Sequence, residues 1–298
     1  MPCHTGVMDR LAAAVADDLG VDVVRTSRVG GGDVAEAFAM VLADGRSVFA
    51  KTHRRPPPGF FTTEAAGLRW LREPDVVPVP AVLAVSDGDD GSPARLVLEW
   101  IDGGGRRSPD GEVAFGRALA RLHRAGAPSF GRADRRTTGS LALPNDPCDS
   151  WHAFFGDRRL TVLLGLAQDR QALPPSSLTK LERVIARLAE VGGPTEPPAR
   201  LHGDLWAGNR MVGRDGRSWL IDPACHGGHR EYDLAMMRLF GGFDDECFDA
   251  YADEWPLSDG WEERVPLHQL SPLIVHAIKF GGGYAAATER ALDAVASI

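Results

Sequence analysis

The chain has 298 residues, 44% of them hydrophobic, and its 33 basic and 41 acidic side chains give a formal net charge of −8. This composition predicts an ordinary globular protein with one large or two modest cores. The acidic balance disfavours a general nucleic-acid binder, because such a surface repels phosphate backbones.

Cysteine spacing and apolar runs indicate the compartment. Cys3, Cys148, Cys225 and Cys247 are far apart and form no C-x-x-C, so neither a zinc site nor a disulfide framework is indicated. No apolar run has the length of a signal-peptide core or approaches the ~18 residues of a membrane span. We therefore expect a cytoplasmic protein with reduced thiols and no membrane anchor.

The first fifty-three residues predict one helix followed by two strands. The helix is expected over Asp9 to Leu19, and residues 28–53 hold two alternating apolar runs around a strong hairpin signal, Asp44-Gly45. These runs predict two strands preceded by the glycine-rich turn VGGGD. That turn lacks the G-x-G-x-x-G spacing and is weak evidence on its own.

A second helix is predicted in TTEAAGLRWLRE, with the threonines as N-cap candidates. Glu64, Leu68 and Leu71 stand at i, i+4 and i+7, so Glu64 should lie on the buried face. Residues 79–101 predict two more strands, and the flexible stretch DGGGRRSPDG follows them. We place a lobe boundary there, between residues 1–101 and 102–298.

Beyond this boundary the apolar period becomes helical. Helices are predicted in DGEVAFGRALARLHR, SSLTKLERVIARLAEVGG, EYDLAMMRLFGGF and SPLIVHAIKFGGGY, the second with a serine start and a glycine stop. A β-rich first lobe before a mainly helical second lobe predicts an α+β fold.

Residues 201–209, LHGDLWAGN, carry the clearest chemical signal. Phosphoryl transfer needs an acid to accept the proton of the attacking hydroxyl, an amide and a second acid for Mg²⁺, and a lysine pinned by a helix glutamate. Candidates for all five occur in the right order: Lys51 at a strand end, Glu64, Asp204 and Asn209 spaced as D-x-x-x-x-N, and Asp222 after the hydrophobic strand of WLIDP.

Taken singly, these residues allow other interpretations. Lys51 could be a solvated edge residue, Glu64 could pair with any arginine, and His202 is expected to support the loop by a hydrogen bond. Together, in this order and on these elements, the set favours a kinase. A non-catalytic nucleotide-binding scaffold is the alternative from a different class, although all five catalytic positions are filled.

The chain resembles the fructosamine kinase (ketosamine-3-kinase) family, within the wider aminoglycoside-phosphotransferase and protein-kinase-like fold. The resemblance rests on LHGDLWAGN and IDPACHGGHREYDLAMMRLFGGF, with WHAFFGDRRL and FGGGY also fitting. Asn145 is followed by Asp146 and Pro147 where the family usually has Asn-x-Trp, so no substrate contact by that Trp is expected. The glycine-rich turn has no cysteine, which predicts no thiol switch there.

The resemblance implies a bilobal protein-kinase-like fold that uses ATP and Mg²⁺. It implies Asp204 as the base, Asn209 and Asp222 as metal ligands, and Lys51 orienting the phosphates against Glu64. The remaining nucleotide contacts are expected from the backbone of Gly30, Gly31, Gly32 and Asp33 around the phosphates and from Glu99, Trp100 and Ile101 around the adenine.

A small-molecule acceptor is predicted over a peptide. Gly203 stands where many protein kinases have an arginine, and only ten residues separate Asp222 from Asp233, which leaves no room for a peptide platform. Pro223 fixes φ directly after the metal Asp, so we expect that Asp not to change conformation.

The acceptor implied by the resemblance is the 3-hydroxyl of a fructosamine or ribulosamine, free or protein-bound. An aminoglycoside, choline-like or amino-alcohol acceptor is the nearer alternative, and a monomer is favoured. Trp206 is expected either to stack on the acceptor or to fill the core. His226, His229 and Arg230 are expected to line the acceptor pocket or to form a solvated loop.

Two acids that follow this loop are expected to be structural. They are Glu231 and Asp233, and Asp233 is also a good N-cap.

Overall fold

The computed structural model describes residues 5–30, 35–88, 91–134, 137–138 and 141–298. The chain divides into two compact units, which we call unit 1 (residues 1–106 and 211–222) and unit 2 (residues 107–210 and 223–298). The break falls inside the predicted flexible stretch 102–111. The sequence did not predict that residues 211–222 return to the first unit.

Unit 1 is built on a five-stranded antiparallel sheet of order β1-β2-β3-β5-β4. The elements are α1 (Thr5–Leu19), β1 (Val23–Val29), β2 (Glu36–Leu42), β3 (Ser47–Thr52), α2 (Phe60–Arg72), β4 (Val82–Ser86) and β5 (Arg95–Glu99). The alternation of β2 buries Phe38, Met40 and Leu42 in one core cluster with Leu11 and Val15 of α1.

Helix α2 begins differently from the sequence prediction. Its N-cap is Gly59 at φ 75°, without a side-chain cap, so the prediction of a threonine cap is wrong. Asp87, which follows β4, supplies the missing acceptor: its carboxylate accepts from Phe61 N at 2.8 Å and from Thr62 Oγ1 at 2.6 Å. An acid after another strand therefore fixes the start of the helix that carries Glu64.

Unit 2 is mainly helical. Its helices are α3 (Pro109–Arg124), α4 (Trp151–Phe155), α5 (Thr161–Asp169), α6 (Pro175–Ala186), α7 (Leu188–Val191), α8 (Glu231–Phe240), α9 (Asp245–Glu254), α10 (Trp261–Phe280) and α11 (Gly283–Ala296), with a π turn at Gly156–Leu160 and a 3-10 turn at Ala207–Asn209. Its short strands form two pairs, β6 (Thr137–Thr138) with β7 (Leu143–Pro144) and β8 (Ala199–Leu201) with β11 (His226–Gly228). The segment that returns to unit 1 forms a third pair, β9 (Arg210–Val212) with β10 (Ser218–Leu220).

The α+β prediction is confirmed, as are the helices at α3, α6, α8 and α10. Two helices begin earlier than predicted. The N-cap of α6 is Pro174, so the predicted serine start is wrong. Helix α10 begins at Trp261, ten residues before the predicted segment SPLIVHAIKFGGGY, and it contains Pro266 and Pro272. The core of unit 2 gathers apolar side chains from α4 to α6, α10 and α11, among them Phe154, Phe155, Leu163, Leu181, Leu270, Ile274 and Leu292.

Cys148, Cys225 and Cys247 are free thiols, in agreement with the prediction, and Cys3 lies outside the described residues. Among the helices that the structure describes, none combines the length and the apolar character needed to cross a bilayer.

Candidate active site

Lys51 stands on β3, between β2 and β5, opposite Ala37 and Leu96. Its Nζ lies 2.8 Å from Glu64 Oε1 on α2 and also contacts Asp222 Oδ1. Unit 1 thus brings together three of the predicted site residues, which we call the lysine trio.

The lysine trio has two acids for one base. Burial alone lowers the pKa of Lys51, but the two carboxylates outweigh it and raise that pKa. Burial, aided by the charge of Asp222, raises the pKa of Glu64 to about 7 although Lys51 opposes the shift. The side chain of Asp222 is 42% exposed. An incoming cation would relieve this excess of carboxylate.

The backbone of Asp222 is unusual. Its φ is 53°, in the left-handed region that residues other than glycine rarely adopt. Aspartate is one of the residue types that tolerate this conformation, at a cost of roughly 1–2 kcal/mol. Such outliers cluster at functional sites, which agrees with a functional carboxylate here.

In unit 2, the loop from His202 to Asn209 connects β8 to the 3-10 turn, and we call it the catalytic loop. Asn209 Nδ2 donates to the carbonyl oxygen of Asp204 at 2.8 Å and to its Oδ2 at 3.1 Å. His202 Nδ1 accepts from Asp204 N at 3.2 Å, the supporting bond expected of it. The D-x-x-x-x-N spacing therefore pairs the acid and the amide on one short loop.

At Gly203 the catalytic loop passes so close to the backbone of Ala224 that no side chain fits between them. Its φ is 80°, and a Cβ added there would lie 2.1 Å from the carbonyl oxygen of Ala224. Ala224 N donates to His202 O at 2.9 Å, so two chain segments run in contact at this point.

Asp233 anchors the catalytic loop from α8. Its Oδ2 accepts from His202 N at 2.7 Å and its Oδ1 from Gly203 N at 2.9 Å. His123 Nε2 lies 3.2 Å from Oδ2, and His123 Nδ1 lies 2.8 Å from the hydroxyl of Tyr251. Burial raises the pKa of Asp233, but the bonds from His123 and the backbone outweigh it and lower that pKa.

The structural role expected of Asp233 is therefore confirmed, while its reading as an N-cap is wrong. Arg230 holds the N-cap position, and Asp233 lies in the first turn of α8. The acid satisfies the backbone of a distant loop and not that of its own helix.

Arg210, directly after Asn209, fixes the other end of the catalytic loop. It forms a bidentate pair with Glu112 of α3 at 2.8 and 2.9 Å, and both side chains are almost fully buried. The guanidinium also lies 4.4 Å from the ring centroid of Phe115. Sequence reasoning missed this pair, although Glu112 stands three positions before Phe115 and so shares a face of the predicted helix with it.

The amino-acid sequence compares closely with known proteins. The model of the family described as fructosamine kinase matches residues 8–297. The chain belongs to the fructosamine kinase family. A Thermus thermophilus protein named as a ketoamine kinase is 38% identical over 265 residues, covering 89% of this chain and 91% of the relative. An Arabidopsis thaliana protein named protein-ribulosamine 3-kinase, chloroplastic, is 32% identical over 276 residues, covering 91% of this chain and 82% of that one.

Solved structures place the fold. A crystal structure from Thermobifida fusca, named as a fructosamine-3-kinase, superposes with a TM-score of 0.90 at 38% identity, covering 97% of this chain and 99% of that one. A choline kinase from Streptococcus pneumoniae superposes with a TM-score of 0.65 at 15% identity over 98% of this chain and 99% of that one. The predicted family and the protein-kinase-like fold are both confirmed.

Each unit offers ligand types that fit Mg²⁺. Unit 1 has the carboxylate of Asp222, and unit 2 has the carboxylate of Asp204 and the amide oxygen of Asn209; carboxylate and amide oxygens are ligands that this ion accepts. The described residues include another candidate group, His229, Glu231 and His268, whose ligand atoms lie within 4.8 Å of one another. Arg264 contacts both carboxylate oxygens of Glu231, at 2.6 and 2.9 Å, and would repel a cation.

The second group is therefore better described as an internal ion pair. Burial raises the pKa of Glu231, but hydrogen bonds from His268 and Arg264 reverse the shift and lower it to about 2. The carboxylate is thus ionised and already neutralised by Arg264. The prediction that Glu231 is structural agrees with these contacts.

The residues expected to line the acceptor pocket lie in two settings. His226, His229 and Arg230 are each at most 2% exposed. Arg230 forms a bidentate pair with Glu196 at 2.8 Å, and these internal positions give no support to acceptor contacts. Trp206 is 40% exposed, which excludes the core-filling alternative.

The two histidines of this group are neutral. Burial, followed by the charge of Arg159, lowers the pKa of His226 to about 3. Burial, followed by the neighbouring His268, lowers the pKa of His229 to about 4. Both rings therefore lie uncharged in unit 2 at neutral pH.

The remaining predicted nucleotide contacts lie after β1 and at the end of β5, and the structure gives only their local surroundings. Gly30 follows β1 and has open space where a Cβ would stand, while Gly31, Gly32 and Asp33 lie outside the described residues. Glu99 ends β5, and its carboxylate accepts from Ala81 N at 3.0 Å. The exposure of the next two residues differs: Trp100 is 39% exposed and Ile101 is buried.

Proposed function

We propose that this protein transfers a phosphoryl group from ATP to the 3-hydroxyl of a ketosamine. The pairing of Asp204 with Asn209 on the anchored catalytic loop is the observation that carries this proposal. Membership of the fructosamine kinase family and relatives named as a ketoamine kinase and a protein-ribulosamine 3-kinase support the acceptor.

The proposed roles follow from the contacts within each unit. Asp204 accepts the proton of the attacking hydroxyl, and Asn209 holds that carboxylate in place. Lys51, steadied by Glu64, orients the phosphates of ATP. Asn209 and Asp222 would hold Mg²⁺, which when bound neutralises charge on the transferred phosphoryl group.

Two further segments complete the nucleotide site in this proposal. The backbone from Gly30 to Asp33 covers the phosphates, and the segment of Glu99, Trp100 and Ile101 meets the adenine. Both assignments rest on the family resemblance and on the position of these segments after β1 and β5.

The product explains why such a kinase would act in repair. In a ketosamine, C2 is a carbonyl and C1 carries the amine. Loss of a C1 proton gives an enol that can expel phosphate from C3, and the amine is then released by hydrolysis. Phosphorylation at O3 thus turns a poor leaving group into a good one, and no second enzyme is required.

The cellular setting is part of the same proposal. We place the enzyme in the cytoplasm, where Cys148, Cys225 and Cys247 would stay reduced. The acceptor is a free or protein-bound ketosamine, and the protein acts as a monomer.

ATP consumption in the presence of Mg²⁺ tests the proposal. The acceptors are ribulosyl-lysine, fructosyl-lysine, an aminoglycoside and choline, each with Asp204→Asn as the blank. Asp169→Asn, an exposed acid near the end of α5, is the matched control. We expect turnover of the ketosamines, lost by about 10²-fold or more in Asp204→Asn and kept in the control. Turnover of only the aminoglycoside or choline would contradict the proposed acceptor.

A further inference from the structure

Unit 2 carries a continuous run of ring contacts that begins at the catalytic loop. The ring centroids are separated by 6.0 Å from Trp206 to Phe240, by 5.1 Å from Phe240 to His276 and by 5.5 Å from His276 to Phe280. Tyr284 closes the far end, 4.9 Å from His276. We call these five side chains the aromatic strip.

The aromatic strip is built by the catalytic loop, by the ends of α8 and α10 and by the start of α11, which carries Tyr284. Phe240 is the last residue of α8 and Phe280 the last residue of α10. After Phe240 the chain packs on the catalytic loop, since a Cβ added to Gly242 would lie 2.3 Å from that of Ala207. The strip is therefore connected to the loop that carries Asp204 by direct packing.

The strip holds the exposed aromatic surface of this unit. Among the described residues of unit 2, the large hydrophobic side chains that are strongly exposed are Trp206 at 40%, Phe280 at 54% and Ile298 at 43%. Two of these three belong to the strip. Exposed aromatic side chains that continue from a reactive group are typical of ligand-binding surfaces.

The central ring of the strip has a fixed orientation. His276 Nδ1 lies 2.7 Å from the carbonyl oxygen of Pro272, one turn earlier in α10. Lys279 Nζ lies 4.9 Å from the ring centroid of Phe280. The strip thus offers a preformed row of ring faces and edges with one cation at its outer end.

We infer that the aromatic strip binds the substituent on the amine of the ketosamine, with Phe280 and Tyr284 contacting the part farthest from the sugar. This inference rests on the proposed function, which puts the 3-hydroxyl at Asp204, two residues before Trp206. A ketosamine is polar at its sugar, and its amine can carry a long apolar chain. Ring faces bury methylene and aromatic groups well, and the sugar is already placed at Asp204, so the occupant is an aliphatic or aromatic amine substituent.

The inference predicts a length-dependent specificity. Two ketosamines with the same ribulosyl group, one made from methylamine and one from hexylamine, differ only in the part that would reach the outer end of the strip. Phe280→Ala should raise the KM for the hexylamine adduct about 3- to 10-fold and leave its kcat and both constants for the methylamine adduct within about twofold. Phe280→Tyr keeps the ring and should restore the wild-type KM.

A matched control and two readouts separate the possible outcomes. Ile298→Ala removes another exposed apolar side chain of unit 2, 43% exposed against 54% for Phe280, and should change the KM of neither adduct. If Phe280→Ala changed the KM of the two adducts equally, or left the KM of the hexylamine adduct unchanged, the inference would be overturned. The proposed function would still stand in that case, provided that the wild-type enzyme phosphorylated both adducts. Failure of the wild-type enzyme to phosphorylate the methylamine adduct would instead overturn the proposed function, and the inference with it.

Discussion

The two units arrange charge around their site residues in opposite ways. In unit 1, the single ammonium of Lys51 faces the carboxylates of Glu64 and Asp222. In unit 2, three buried arginines each form a bidentate pair with one acid: Arg210 with Glu112, Arg230 with Glu196, and Arg264 with Glu231.

This difference separates ion pairs that stabilise the fold from charged groups that are available to a ligand. A closed, buried ion pair is complete in itself, and breaking it leaves an uncompensated charge. The lysine trio instead has two acids beside one ammonium, an arrangement that would suit a bound metal–nucleotide complex. The pair of Arg210 with Glu112 therefore fixes one end of the catalytic loop, whereas we propose that the lysine trio takes part in the reaction.

Breaking a closed pair should have the largest effect on stability. Glu231→Gln leaves the buried Arg264 without its carboxylate and should lower the free energy of unfolding by about 3 kcal/mol, measured by urea titration. Glu262→Gln is the control, because Glu262 and its partner Arg238 are 63% and 36% exposed, and it should cost less than about 0.5 kcal/mol. Similar losses in the two variants would remove the distinction between scaffold pairs and surface pairs.

Removing the lysine of the trio should affect activity more than stability. Lys51→Met takes away the one base between two acids and should lower kcat/KM by about 10²-fold in the ATP assay. Lys180→Met, which breaks an exposed pair with Asp293, should leave kcat/KM within about twofold. If Lys51→Met kept more than a third of the activity, the lysine trio would not be the part that orients the phosphates.

Acid should destabilise unit 2 through its buried neutral histidines. The pKa values of His226 and His229 are lowered to about 3 and about 4, whereas an unfolded histidine titrates at about 6.5. Between these values the unfolded chain binds protons that the folded chain does not, so stability is lost as pH falls below about 6.5. The expected loss is about 2 kcal/mol per histidine at pH 5.

Urea unfolding at pH 7, 6 and 5 measures this proton linkage. The slope of the unfolding free energy against pH gives the number of protons taken up on unfolding. This number should be smaller by close to one in His226→Gln. An unchanged slope in that variant would show that His226 does not take up a proton on unfolding.

The smallest effect is expected at the start of α2. Asp87→Ala removes the acceptor for Phe61 N and Thr62 Oγ1, which should cost about 1 kcal/mol and raise the KM for ATP several-fold by loosening Glu64. Asp87→Asn keeps an acceptor and should restore most of the KM. Asp44→Ala, which alters only the hairpin bonds to Arg46, is the control, and an equal rise in its KM would exclude this role of Asp87.

Local pattern was enough to predict much of the site. The helical period placed Glu64 on the face of α2 that meets Lys51, and the spacing of Asp204 and Asn209 paired them on one loop. Both relations depend on short-range geometry, which a sequence shows directly.

Relations between distant segments could not be predicted. Glu112 and Arg210 are 98 residues apart, and only the folded chain brings them together. Asp233 was predicted to be an N-cap because it stands near a helix start, but in the folded chain its carboxylate accepts hydrogen bonds from the backbone of His202 and Gly203. The start of α10 was missed because Pro266 and Pro272 normally interrupt a helix.

The position of the phosphate in the product tests the central claim most directly. The product of ATP and a ribulosyl amine, trapped at low temperature, would be examined by carbon–phosphorus coupling in NMR, with Asp204→Asn as the blank. Our account predicts phosphate on O3 of the sugar, absent in the blank, followed by release of free phosphate and amine on warming. Phosphate on another hydroxyl, or product formation that persists in Asp204→Asn, would contradict it.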